Sequence, residues 1–227
     1  MKGKLQKIKE IVEKEMEGAE SDHDFLHVMR VYNLGLHLAK NETNVDFEIL
    51  KTAILLHDIA RVKEDEDTSG KIDHAILGAK MAKKILRNLN YKEEKIKQIK
   101  HCIIAHRFRS GNEPQTKEAK ILFDADKLDV LGAIGVARSL AIAGRYGEKI
   151  YLDIPIAKYI KENLVGGKAN GRIKDTSKYA PNLEYELKFK HIPNKLYTKK
   201  AKRIAKGRLR FMEQFFKRLK KEMDGEM

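Results

Sequence analysis

Apolar positions recur along most of the chain at intervals of three and four residues, the period of one face of an α-helix. Leu5, Ile8, Ile11 and Val12 form a first stripe that stops at Gly18. Capping side chains from Ser21 to Asp24 predict the start of a second helix through "FLHVMRVYNLGLHLAK", with His27, Val31 and Leu34 turned inward. Asp46 is placed to cap a third, on which Phe47, Leu50, Ile54 and His57 share a face. The acidic "VKEDEDTSGK" reads as a loop. Helical spacing resumes through His74, Gly78, Met81 and Ile85, and again from Glu93 through Ile96, Ile99, Ile103 and His106. "KEAKILFDADKLDVLGAIGVARSLAIAG" reads as one long helix in which Gly132 and Gly135 admit close neighbours. Regularity fades between about 145 and 193, where "VGGKANGR" is the loosest stretch, and a last helix capped by Thr198 runs to about 223. No segment alternates with the period of two that a sheet needs. The pattern predicts an all-α bundle: one domain over 1–227, with its core at about 21–140 and an irregular insertion before a long C-terminal helix.

Composition narrows the class. With 227 residues, 42% hydrophobic and 35% charged, the chain can bury a sizeable core beneath a densely charged surface. One cysteine, Cys102, excludes an internal disulfide and any multi-cysteine zinc knuckle. No window approaches the roughly 18 consecutive apolar residues that span a bilayer, and the opening "MKGKLQKIKEIVEKEMEG" is charged throughout, so a cytoplasmic location without a membrane partner is expected. The net charge of +14 is concentrated: Lys195 to Lys221 holds twelve Lys or Arg against one acid, Glu213. That block suits a polyanion such as RNA. Ala201, Ile204, Ala205, Phe211, Phe215 and Leu219 recur beneath the charges, however, which is equally the pattern of a packed helix with a solvated outer face. No pattern sets an oligomeric state.

The helix faces directed inward carry the candidate chemistry. "AILLHDIARV" drives Ile54, Leu55 and Leu56 toward a core and takes His57 and Asp58 in with them. His27, His74, His106 and the acids of "FDADKLD" repeat the anomaly on other helices. Burying an unpaired polar group costs about 1–3 kcal/mol, and a carboxylate more. One divalent cation would remove that cost for all of them. His and carboxylate donors without thiolate suit Mn, Fe, Ni, Co or Zn, with Mg also admissible. An inward histidine taken singly is more often a hydrogen-bonded core residue than a ligand, and the case rests on the set. His23 and His27, at i and i+4, lack the glutamate of a zinc-protease helix, and His37 and His191 stand without such company.

In this order, "HDFLHVMRV", "LLHDIAR" and "DADKLDVLG" resemble the HD-domain superfamily of metal-dependent phosphohydrolases, over about Ser21 to Arg138. The Thr-x-x-Ala-x-x-x-Ala-x-x-Arg pattern from Thr198 to Arg208 is similar to the small stand-alone branch of predicted HD-superfamily hydrolases and nucleotide pyrophosphohydrolases. The resemblance implies a metal held by His27, His57, Asp58 and Asp126, with Asp124 a neighbouring alternative to Asp126. It implies a candidate second metal at His74 and His106, with His101 a weaker match. Where many dinuclear members have adjacent histidines this chain has "HRF", and the acid that nucleotidase members carry just past the doublet is replaced by Ile59, Ala60 and Arg61. The identity of a general base therefore stays open.

The implied function is hydrolysis of a phosphoester or pyrophosphate bond in a small phosphorylated metabolite, a nucleotide above all, by a metal-activated water. A bound divalent ion lowers the pKa of its water and polarises a phosphoryl oxygen, and charge spreading over the phosphoryl oxygens calls for cations. Arg30, one turn beyond His27, and Lys127, beside Asp126, are the expected catalytic cations together with the Asp58 carboxylate. Arg61, Arg107 and Arg138 are expected substrate contacts. Lys168 and Arg172 in "GGKANGR" would line a phosphate-touching lid, although the stretch lacks the GK[ST] ending of a Walker loop. The contrasting reading is a non-catalytic module in which the metal is structural and the basic C-terminal helix binds RNA or another polyanion.

Overall fold

The computed structural model describes residues 2–19, 24–107, 111–169 and 171–226, and among these every regular element is helical apart from one isolated bridge between Leu164 and Ile173. No helix among the described residues is long and apolar enough to cross a membrane. The chain divides into two compact units, Met1–Lys127 with Leu196–Ala201, and Leu128–Lys195 with Lys202–Met227.

The first unit is built around α3 (Phe47–Leu56). Asp46 caps it by accepting from the backbone N–H groups of Glu48 and Ile49, as its position predicts. Every residue from Ile49 to Leu56 except Lys51 is buried, so α3 is apolar on all sides, which is the mark of a central helix. It packs against α1 (Lys2–Glu15), α2 (Phe25–Ala39), α5 (His74–Asn88) and α6 (Glu93–Ala105). Asp24 caps α2 through the His27 N–H at 2.9 Å, while Ser21, Asp22 and His23 of the expected capping run lie outside the described residues. On α2 the close approach is at Gly35, where a Cβ would lie 2.5 Å from Ile54 Cδ1.

Three expectations about elements change. The acidic stretch after the doublet is partly helical, as α4 (Arg61–Asp65). The expected long helix through 117–144 is two, α7 (Lys117–Asp129) and α8 (Gly132–Tyr146). Leu131 is extended and Gly132 has φ +78°, a conformation that side-chain-bearing residues rarely adopt. At Gly135 a Cβ would meet the Val130 carbonyl oxygen at 2.1 Å, so both glycines serve the break. Within 145–193 the second unit forms α9 (Ile156–Asn163), α10 (Pro181–Leu187) and short 3-10 turns around a cluster of Tyr159, Leu164, Tyr179 and Leu183.

The last helix, α11 (Lys199–Met223), begins where expected, with Thr198 Oγ1 accepting from Ala201 N–H. The Thr-Ala-Ala-Arg pattern acquires a structural meaning. In the first unit, Thr198 donates through both N–H and Oγ1 to the buried Asp124 carboxylate, which also accepts from Tyr197 N–H. Ala201 and Ala205 are buried. In the second unit, an Arg208 guanidinium nitrogen donates to the Leu128 carbonyl in the last turn of α7, and its stem lies against Gly132.

Candidate metal centre

His57 and Asp58 stand at the C-terminal end of α3 rather than within it, His57 forming the C-cap. A helix end leaves carbonyls without partners, and His57 Nδ1 lies 2.7 Å from that of Ile54. A carbonyl only accepts, so Nδ1 carries the ring hydrogen and Nε2 presents a lone pair. His106 repeats the construction at the end of α6, with Nδ1 2.5 Å from the Ile103 carbonyl. His74 opens α5 after the Asp73 cap, and its Nδ1 lies 2.6 Å from Glu64 Oε2 on α4. A carboxylate likewise accepts, so three histidines arrive with Nδ1 occupied and Nε2 free to bind a cation.

These nitrogens converge on Asp58, whose two oxygens face different groups. Asp58 Oδ2 is 3.6 Å from both His27 Nε2 and His57 Nε2, which lie 3.3 Å from each other. Asp126 Oδ1 reaches His27 Nε2 at 3.5 Å from α7. Asp58 Oδ1 is 3.4 Å from His74 Nε2 and 3.3 Å from His106 Nε2, a pair 3.2 Å apart. All six side chains are buried, His27 and His57 completely. Around Oδ1, the carboxylate oxygen and two Nε2 atoms whose rings carry a hydrogen on Nδ1 crowd together, an arrangement that a cation stabilises and burial alone does not. The residues fit a metal, and two groupings sharing Asp58 are present: His27, His57 and Asp58, and Asp58, His74 and His106.

Electrostatics keep the donors in their binding forms. Burial lowers the His57 pKa to about 4, outweighing the neighbouring Asp58 charge, so the ring is neutral near pH 7. Burial also lowers His74, against the pull of Asp58 and Glu64. At Asp126 burial acts in the opposite sense and is overcome by the Lys127 ammonium and His27, which hold the carboxyl well below its usual range.

Of the expected site residues, the structure places His27, His57, Asp58, His74, His106 and Asp126 side by side. Lys127 Nζ donates to Asp126 Oδ2 at 2.7 Å, and Arg30 is half-buried on α2 one turn beyond His27. Arg61 and Arg107 both hold Glu64, through contacts of 2.9 and 2.7 Å, and Arg107 also pairs with Asp73 at 2.8 Å. Asp124 faces the start of α11 and His101 Nε2 accepts from Gln115 N–H, so neither belongs to the cluster. In the second unit Arg138 lies 3.8 Å from Asp129, and Lys168 and Arg172 are exposed. Sequence reasoning missed Glu64. Its carboxyl is held below the usual range because the His74 hydrogen bond and the Arg107 and Arg61 charges outweigh partial burial. A signal was present in that His74, if inward-facing, needs a partner for its second nitrogen.

The sequence profile of the HD domain matches residues 24–131, the span that carries this cluster. The chain is 30% identical over 209 residues to the uncharacterized protein YpgQ of Bacillus subtilis, covering 90% of this chain and 86% of that one. The chain belongs to the HD-domain superfamily. Among solved structures, a Bacillus thuringiensis HD-superfamily hydrolase superposes on this HD protein with a TM-score of 0.71 at 28% identity, over 98% of each chain. YpgQ in complex with ADP superposes with a TM-score of 0.69 at 24% identity, over 97% of this chain and 95% of that one. A 3′-5′ exoribonuclease, YhaM of Bacillus velezensis, is 28% identical over 152 residues, 59% of this chain and 48% of its own length.

Proposed function

We propose that this HD protein is a metal-dependent phosphohydrolase that cleaves a phosphoester or phosphoanhydride bond in a small phosphorylated metabolite of the nucleotide class. The observation that carries the reading is the Asp58 carboxylate, which turns one oxygen to His27 and His57 and the other to His74 and His106. A carboxylate so placed would offer one oxygen to a cation on each side. His27, His57, Asp58 and Asp126 would hold one divalent ion, and Asp58, His74 and His106 a second. When bound, such ions supply an acidified water and neutralise charge on phosphoryl oxygens.

The remaining work falls to the chain's own side chains. Carbonyl bonds at Ile54 and Ile103 hold the ring hydrogen of two imidazoles on Nδ1 and leave Nε2 as the ligand atom, and Glu64 does the same for His74. Lys127, whose ammonium lies 2.7 Å from Asp126 Oδ2, stabilises negative charge gathering on the substrate. Arg30 serves the same end from α2. Arg61 and Arg107 balance Glu64, so that the carboxylate orients His74 without adding net negative charge where phosphate must enter. The complex of YpgQ with ADP supports a nucleotide over other phosphorylated metabolites.

The test is release of phosphate and pyrophosphate from a panel of nucleoside mono-, di- and triphosphates with Mn²⁺ or Co²⁺ added, for wild type beside Asp58→Ala. Release by the wild type alone is expected. Equal release by both proteins, or none by a folded and metal-loaded wild type, counts against the proposal.

A further inference from the structure

The basic block is not uniform along α11. In its distal half the cations are neutralised locally: Lys217 pairs with Glu213 at 2.6 Å, Arg218 with Glu222, and Lys220 with Asp153 and Asp224. In the proximal half, within the second unit, Lys202, Arg203, Lys206 and Arg210 are exposed and make no ion pair or hydrogen bond among the described residues. No acid precedes Glu213 on the helix. At 100° per residue these four cations fall within an arc of about 100° that lies outside the arc of buried Ala205, Met212 and Phe216. From Lys202 to Arg210 they span about 12 Å.

Beside the cations lies an aromatic. Phe211, which its spacing assigns to the buried face, is 46% exposed, one position round the helix from the packed Met212. Gly207, one turn earlier on the same flank, is exposed and has open space where a side chain would stand. The flank therefore offers a phenyl face with room above it, next to a row of unneutralised cations. Cations that follow a phosphate backbone beside an aromatic on which a base can stack make up the surface that single-stranded nucleic acid fits. The exposed ring beside the cations favours a stacked base over an acidic protein, and a membrane-surface helix would need an apolar stripe where this one has charge.

We propose that the proximal half of α11 binds single-stranded nucleic acid, with Lys202, Arg203, Lys206 and Arg210 on phosphates and Phe211 stacked on a base. The surface lies outside the residues matched by the HD profile and works without the metal.

The test is fluorescence anisotropy with a labelled twelve-nucleotide uridine RNA and the full chain in EDTA, from 50 to 200 mM KCl. Four phosphate contacts on a single strand predict a slope of log affinity against log salt of about −3, a loss near fiftyfold over that range. K202Q/R203Q/K206Q/R210Q should bind at least thirtyfold more weakly at 50 mM KCl, with the slope flattened. A charge-matched control, K7Q/K14Q/K80Q/K84Q, alters exposed lysines in the first unit and should stay within threefold of wild type. F211A should weaken binding about tenfold and keep the slope. Circular dichroism verifies that each variant is folded. No binding at 50 mM KCl, or equal losses in the two quadruple variants, overturns the proposal. So does an F211A protein that binds like wild type while polyaspartate competes as well as RNA, a result that assigns the surface to an acidic protein.

Discussion

Glu64→Ala removes one half-buried carboxylate and four contacts: His74 Nδ1 at 2.6 Å, His74 N–H at 3.3 Å, Arg107 at 2.7 Å and Arg61 at 2.9 Å. His74 then loses the partner that holds its hydrogen on Nδ1 and its ring in place. Loss of such an outer partner lowers metal affinity about 10–100-fold, or about 1.4–2.8 kcal/mol. The effect should fall on the grouping that contains His74 and spare the one built from His27, His57 and Asp126, none of which touches Glu64. Calorimetric titration of Mn²⁺ into metal-free protein should show one affinity unchanged and the other weakened by that factor. Glu64→Gln, whose amide oxygen still accepts from Nδ1 but without charge, should fall between. Two affinities within twofold of wild type in a folded Glu64→Ala protein would refute the assignment of His74 to a cation position.

Three further outcomes follow from the same geometry. In metal-free protein the His57 pKa of about 4 lies below its value near 6.5 in the unfolded chain, so the unfolded state binds the extra proton between those values. Stability should be full above pH 6.5 and fall by about 3 kcal/mol as pH drops toward 4, read by urea unfolding with EDTA present; a flat profile would contradict it. Asp124→Ala leaves three donors at the start of α11 without their acceptor and should cost about 3 kcal/mol in the same assay. A change below about 1 kcal/mol would mean that water replaces the carboxylate. Gly135→Ala forces a Cβ against the Val130 carbonyl and should lose about 3 kcal/mol, where an ordinary helix glycine would gain stability from alanine.

Much of the centre is legible in the sequence because burial of polar side chains is conspicuous against apolar spacing. His27, His74 and His106 each interrupt such a stripe, and the doublet follows Ile54–Leu56 directly. What escapes is what local pattern cannot carry. Glu64 sits in a run of acids indistinguishable from solvated surface, and its role depends on a histidine ten residues later and an arginine just past the end of α6. The break between α7 and α8 is hidden because Val130 and Leu131 continue the apolar period, while Gly132 reads equally as a packing residue. Phe211 reads as inward from its spacing because one helix position is only 100° of rotation, within the tolerance of any such stripe. The short helices of the second unit are of seven and eight residues, too brief for periodicity to register.

If Asp58 serves two cation positions that carry hydrolysis, metal content and activity are lost together when it is removed. The most direct measurement is bound metal per chain, by elemental mass spectrometry after reconstitution with Mn²⁺ and gel filtration, run beside nucleotide hydrolysis on the same samples of wild type, Asp58→Ala and His106→Ala. Two ions are expected in the wild type, one in His106→Ala, and less than one with no hydrolysis in Asp58→Ala. Two ions retained by a folded Asp58→Ala protein, or hydrolysis that survives in it, would contradict the account.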